Sequence, residues 1–382
     1  MTNRIYLDYQ ATTPVDTRVA EKILYYMTIA FGNASSVDHL YGEEADQAIL
    51  SAKKSVAELV GALPKEIIFT SGATESINLA IQGHVLASSK CTNIAVTGIE
   101  HKAVLDTCNA MAKKGLAKIT SIPVDSLGRI DLERLDNICR QGIDLLCVMM
   151  ANNEIGNIYP IADIGAIAQK YNISFFCDAS QAVGKVPIHC QDWNISYMAI
   201  SAHKFYGPKG VGALIVKKGK KLSPVMFGGG QQNALRSGTL NVPGIVGLGE
   251  ACRLRSLEMD IDERAIAILR DKLQNELLEQ IDRLVINGDP TNRLTGNLHI
   301  SIPDIPNSAI VARVRHKLAI STGAACASGV ESPSHVLRAL NLSKNIIDGA
   351  LRISLGKFTT KKEIEEAINI IVKTVRDIRY LM

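Results

Sequence analysis

The chain has 382 residues, 47% of them hydrophobic and 21% charged, with a formal net charge of +4 at pH 7. This length exceeds one typical core, so a large domain with a smaller companion is expected, in an ordinary globular composition. The charge is too diffuse for direct nucleic-acid binding as a primary role, and the basic cluster at 217–221 reads as a solvated turn.

The N-terminal stretch MTNRIYLDYQ carries Asp8 and other polar residues where a secretory signal needs an apolar core. The longest apolar run, residues 145–151, is far short of the roughly 20 residues of a membrane helix. A soluble, cytoplasmic protein with no membrane partner is expected. The middle of the chain alternates short β-rich runs (IIFTSG, NIAVTGIEH, LLCVMMANNE, ISFFCDASQ, YMAISAHK, GALIVKK) with helical segments. The runs are nearly continuous in apolar residues, as in a mostly parallel sheet covered by helices on both faces. The fold class is therefore α/β. Several runs end in polar residues, at 71–74, 100–101, 152–154, 178–181 and 201–204. Ligands of such sheets lie beyond the carboxyl ends of the strands, so this edge is the expected site.

Near Glu258 the texture changes to a charged helical stretch, EMDIDERAIAILRDKLQNELLEQI, followed by short strands (RLVING, GNLHISIP) and the helix TKKEIEEAINIIVKTVRDIRYL. This predicts a second, smaller α+β domain. Residues 16–255 are assigned to the large domain, and 1–15 with 256–382 to the small one. The eight cysteines include no CxxC pair and read as reduced thiols, most of them buried. Cys326 differs, because TGAACASG surrounds it with small residues suited to an accessible loop.

Three segments carry chemistry. In SAHKFYGPKG, Lys204 ends a strand and precedes a Gly/Pro turn. A lysine can hold an aldehyde cofactor as a Schiff base once a desolvated or cationic setting favours its free amine, although most lysines are solvated surface groups. Asp178 lies 26 residues earlier, at the end of ISFFCDASQ. A carboxylate there could keep a cofactor's pyridine nitrogen protonated, with Gln181 within reach of a phenolic oxygen, or Asp178 could cap a helix. TSGATES places Gly72 and hydroxyls at a helix start, which suits a phosphate or, equally, a helix capped by Ser71 or Thr74. No lysine closes it as in a nucleotide-binding loop.

The whole set of segments resembles the class V, fold-type I pyridoxal-phosphate enzymes and, within them, the cysteine desulfurases of the NifS and IscS kind. The resemblance runs along nearly the full chain through YLDYQATTPVD, FGNASSVDHLYG, TSGATES, EHKAVLDTC, ANNEIG, DASQAVGK, SAHKFYGPKG, GGGQQNALRSGT, TGAACASG, ESPSHVLRAL and LRISLGKFTT. It implies pyridoxal 5'-phosphate as cofactor and a large domain with a mostly parallel seven-stranded sheet. Lys204 would hold the cofactor aldehyde, Asp178 its ring nitrogen and Gln181 its phenolic oxygen. His101 would stack on the ring and act in acid–base chemistry. Ala73, Thr74, Ser201 and His203 would hold the phosphate, joined by Thr239 of a neighbouring subunit in a homodimer. Asn153 would lie by ring and substrate, Arg352 would clamp the substrate carboxylate, and Cys326 would take the sulfur of L-cysteine as a persulfide, leaving L-alanine. In isolation His101 reads more often as a structural histidine, and Arg352 about equally as a substrate clamp or as an ordinary surface or salt-bridging arginine.

The implied partner is a persulfide-accepting protein, an iron–sulfur scaffold or a sulfur carrier. The alternative is a selenocysteine lyase or another class V enzyme, but an aminotransferase has no use for a nucleophilic cysteine. The chain departs from the family pattern at Gln10, at Ala34 after Asn33, and at Thr322 and Ala324. It also stops soon after its last helix, where some relatives carry an extension that docks a scaffold protein.

Overall fold

The computed structural model describes residues 4–323 and 333–382. In chain order the strands are β1 (Ile5–Tyr6), β2 (Ile67–Thr70), β3 (Thr92–Thr97), β4 (Ala117–Ile122), β5 (Leu145–Cys147), β6 (Ser174–Asp178), β7 (Tyr197–Ser201), β8 (Gly212–Val216), β9 (Val285–Ile286), β10 (Asn297–Ser301), β11 (Leu318–Ala319) and β12 (Ala350–Ser354). The helices are α1 (Thr17–Thr28), α2 (Leu40–Val60), α3 (Ala73–Leu86), α4 (Lys102–Lys113), α5 (Leu132–Cys139), α6 (Ile161–Lys170), α7 (Val242–Gln280), α8 (Asn307–Val314), α9 (His335–Ala339), α10 (Lys344–Asp348) and α11 (Lys361–Leu381).

A seven-stranded sheet in the order β2-β8-β7-β6-β5-β3-β4 forms the centre. Only β8 runs against the rest, so the carboxyl ends of β2, β3, β5, β6 and β7 share one edge. The fold is the α/β, fold-type I architecture expected. Side chains alternate across a strand, and the two faces feed separate cores. Leu146, Phe175, Cys177 and Met198 enter one, while Leu145, Cys147, Phe176 and Tyr197 enter the other. Covering on both faces is why these strands read as continuous apolar runs.

The six apolar runs account for every strand of this sheet except β4, AKITSI. It lies at the edge, with only its two end residues buried and Lys118 exposed. An edge strand needs no continuous apolar run and tolerates a lysine.

A third core holds Ile5 and Leu7 with residues from α7, α8, α11 and the sheet β12-β10-β9. Strand β1 pairs in parallel with β11. The domain boundary expected at residue 255 falls inside α7, one helix of 39 residues. Its first half places Val242, Leu248 and Leu254 in the large core, and its second half places Ile266, Leu273 and Leu277 in the third. The second half carries more charge because it packs on one side only. Val336, Leu337, Leu340 and Ala350, from the stretch assigned by sequence to the small domain, pack in the large core.

Gly212 opens β8 where the backbone passes under the start of α3. A Cβ there would stand 2.7 Å from the Gly72 Cα and collide with the carbonyl oxygen of Ile200. Gly212→Ala is expected to cost about 1–3 kcal/mol of stability through this overpacking. A urea unfolding midpoint matching that of the parent would show that the close approach is dispensable.

Candidate active site

One cavity of about 720 Å³ opens at the shared strand edge. Its walls include Ala73, Thr74, His101, Asn153, Asp178, Gln181, Ser201, His203, Lys204 and Arg352, every site residue expected from the sequence apart from Thr239 and Cys326. Thr239 is exposed and lies outside this wall. Cys326 lies outside the described residues.

Strand β7 ends at Ser201, and a short 3₁₀ turn over Ala202–Lys204 carries Lys204 into the cavity. The Lys204 Nζ donates to the carbonyl oxygens of Gln10 at 2.7 Å and Ala11 at 2.8 Å. Burial, then the nearby charges of Lys185 and Arg352, lower its pKa to about 7, so the free amine is accessible at neutral pH. Burial and the Lys204 charge likewise lower His203 to about 4, and its neutral ring bonds Thr12 Oγ1 through Nδ1 at 3.1 Å.

Asp178 ends β6, buried. One carboxylate oxygen accepts from the Ser180 backbone N–H at 2.9 Å and its hydroxyl at 2.6 Å. No regular helix comes next for Asp178 to cap. Gln181 donates from Nε2 to the Gln10 carbonyl at 2.9 Å and accepts at Oε1 from Lys185 at 3.1 Å.

Helix α3 starts after Gly72, whose φ of 151° suits only glycine, and no side chain caps it. Neither Ser71 nor Thr74 acts as the cap. The first helical amides thus face the cavity without a side-chain acceptor, the arrangement that binds an anion.

His101 precedes α4 and accepts the Ala103 N–H at Nδ1, 3.1 Å away, which leaves Nε2 to carry the proton of a neutral ring. Arg352 on β12 donates to Asp8 at 2.8 Å and to the Asn153 carbonyl at 2.8 Å. The guanidinium is therefore already oriented, and the fork expected for a carboxylate is partly engaged. Its Nε and the Asn153 Oδ1 are buried without partners.

These features fit pyridoxal 5'-phosphate. An uncapped helix start meets a phosphate, a buried carboxylate meets a pyridinium, and a lysine with a lowered pKa meets an aldehyde. The unpartnered Arg352 Nε and Asn153 Oδ1 are polar atoms for which a ligand supplies a partner.

Sequence reasoning passed over Asp8, Glu154, Lys185 and His335 as site residues. Glu154 is buried in the cavity wall, accepts the Ser334 hydroxyl at 2.5 Å, and has its pKa raised by burial. His335 bonds the Glu100 carbonyl at 2.9 Å. Glu154 adjoins Asn153 in ANNEIG and Lys185 closes DASQAVGK, so both lie in segments that carry the family resemblance. The partnership of Asp8 with Arg352 spans 344 residues and leaves no local trace.

The aminotransferase class-V family model matches residues 5–367. The cysteine desulfurase IscS of Anaeromyxobacter dehalogenans (strain 2CP-C) is 42% identical over 98% of this chain and 93% of its own. The mitochondrial cysteine desulfurase of Arabidopsis thaliana is 42% identical over 98% of this chain and 83% of its own. A solved NifS-like protein superposes with a TM-score of 0.90 at 36% identity, covering 98% of this chain and 99% of that one. The chain belongs to the class-V aminotransferase family and, within it, to the cysteine desulfurases. Pyridoxal phosphate is their cofactor.

Beneath the site, the buried Glu100 accepts from Thr97 Oγ1 at 2.6 Å and from the Met149 N–H at 2.8 Å. Burial raises its pKa from 4.5 to about 8. The folded state therefore holds a proton that the unfolded chain releases, and stability falls as pH rises between those two values. Glu100→Gln is expected to flatten this decline, read from urea midpoints at pH 5 and pH 8. An equally steep decline in the variant would mean that Glu100 does not titrate this way.

Proposed function

We propose that this protein takes sulfur from L-cysteine, with Lys204, His101, Arg352 and Cys326 as the working side chains. The observation that carries the reading is the meeting in one cavity of Lys204 with its lowered pKa, the buried Asp178 and the uncapped start of α3. Pyridoxal phosphate, when bound, supplies an electron sink for the substrate α-carbon.

Ala73, Thr74, Ser201 and His203 hold the phosphate, Asp178 the ring nitrogen and Gln181 the phenolic oxygen. Arg352 and Asn153 receive the substrate carboxylate, for which the unpartnered Arg352 Nε is a charged donor. Lys204, as free amine, removes the α-proton, and His101, which also lines the cavity, acts in acid–base chemistry. The Cys326 thiolate then attacks the substrate sulfur. A Cys326 S–S bond forms, the substrate Cβ–S bond breaks, and cysteine plus thiol become alanine plus persulfide. Thiolates are strong nucleophiles without unusual stabilisation.

The persulfide passes to an acceptor protein, an iron–sulfur scaffold or a sulfur carrier. No helix among the described residues is long and apolar enough to cross a membrane, and we place the reaction in the cytoplasm. The working unit is a homodimer. In support, the end of α1, the connection after it and the start of α2 expose Met27, Ile29, Phe31, Val37 and Leu40, apolar side chains that a monomer has reason to cover. Thr239 then completes the phosphate site of the neighbouring subunit.

Cys326→Ala should keep the bound cofactor and still take up cysteine, yet release almost no alanine. The parent protein given cysteine without reductant should gain one sulfur on the Cys326 peptide by mass. Wild-type turnover by Cys326→Ala would remove the desulfurase reading. A composite site predicts that inactive Lys204→Ala and Thr239→Asp chains, once mixed and re-paired, regain activity. The mixed dimer contains one intact site, so a mixture that stays inactive despite subunit exchange would count against it.

A further inference from the structure

Lys185 comes after β6 in the same turn as Gln181 and points toward the back of the site rather than into the main cavity. Its Nζ donates to the Gln181 Oε1 at 3.1 Å. An ammonium can only donate, so this bond requires the Gln181 oxygen on the Lys185 side. The Gln181 Nε2 then donates one hydrogen to the Gln10 carbonyl at 2.9 Å and keeps its second for the cavity. The same carbonyl accepts Lys204 Nζ at 2.7 Å, which makes a continuous chain from Lys185 through Gln181 and Gln10 to Lys204.

The turn is braced from outside. Arg255, fully buried on α7, donates to the Gly184 carbonyl at 2.7 Å and to Glu263 at 3.1 Å. Lys185 and Glu263 face a second cavity of about 20 Å³, which has room for one water. Asn297, which lines it too, has a buried Oδ1 without a partner. One water there would join Lys185 to Asn297 and Glu263 without neutralising the lysine by direct contact.

We propose that Lys185 is a positioning residue, which holds the Gln181 amide with its nitrogen toward the cofactor and supplies a standing positive charge behind Lys204 that favours the free amine. The proposal rests on the assignment of Lys204 and Gln181 to the cofactor. Facing Lys204 are Lys185 and Arg352, which oppose its proton, and Asp178 and Asp8, which favour it. Facing Lys185 are Glu263, which favours its charge, and Arg255 and Arg352, which oppose it. Burial lowers Lys185 itself to about 8, while Glu263 favours its charged form.

The test uses the full chain freed of cofactor, labelled by trace acetic anhydride across the pH range and read by mass on the Lys204 peptide. The parent should show a labelling midpoint near 7. Lys185→Met should raise it by about one unit, while Lys185→Arg, which keeps the charge, should restore the parent midpoint. If Lys185→Met fails to fold, Lys185→Gln takes the same measurement with the same expected rise. A folded neutral variant with an unchanged midpoint overturns the proposal. Borohydride reduction of the cofactor-loaded protein identifies separately which lysine carries the cofactor, so an error in that assignment is distinguishable from an error about Lys185.

Discussion

A half-buried amine that rests on two carbonyl groups organises this molecule. Lys204 needs acceptors, because an unpaired ammonium is costly to bury. It also needs to lose its proton readily, and direct contact with a carboxylate would resist that. The carbonyls of Gln10 and Ala11 meet both needs, since they are neutral acceptors. They come from the other end of the sequence, so the N-terminal segment must lie across the end of β7. Thr13 secures the crossing by donating to the His203 carbonyl through both its backbone and its hydroxyl. Gln10 extends it by accepting from Asn297 at 2.7 Å.

The surrounding charges are arranged around that choice. Arg352 sits close enough to help unload the Lys204 proton, and its own position is set by Asp8 of the same N-terminal segment. The strands end at one edge because only β8 opposes the others, so Ser201, Asp178, Asn153 and His101 converge there beside the start of α3 and the short helix α9. The catalytic setting is thus made by strand ends of the central sheet, the start of α3, Arg352 of β12 and one crossing segment, with cores on both faces of the central sheet.

Much of this was legible in the sequence. Apolar runs ending in polar residues located the sheet and its functional edge, because burial on both faces and exposure at the tip leave opposite compositions side by side. Lys204 and Asp178 were readable as strand ends. The edge strand β4 was not, since it buries so little. Nor were the long-range partnerships, Asp8 with Arg352 and Gln10 with Lys204, because hydrogen bonds between distant segments impose no local spacing. The start of α7 escaped notice because glycines and apolar residues at its buried end, Val242 to Leu254, look unlike the charged end beyond them.

That helix bears on how this chain tolerates change. Over 39 residues it extends about 58 Å, and each residue added to an α-helix turns the remainder by about 100° and advances it by 1.5 Å. A single insertion or deletion between Leu254 and Ile266 would therefore misdirect Leu273 and Leu277 away from the third core while Leu248 stayed seated in the first. Surface loops elsewhere can grow or shrink at little cost. Here the count of residues is itself structural, and length in this stretch is fixed by geometry rather than by any side chain.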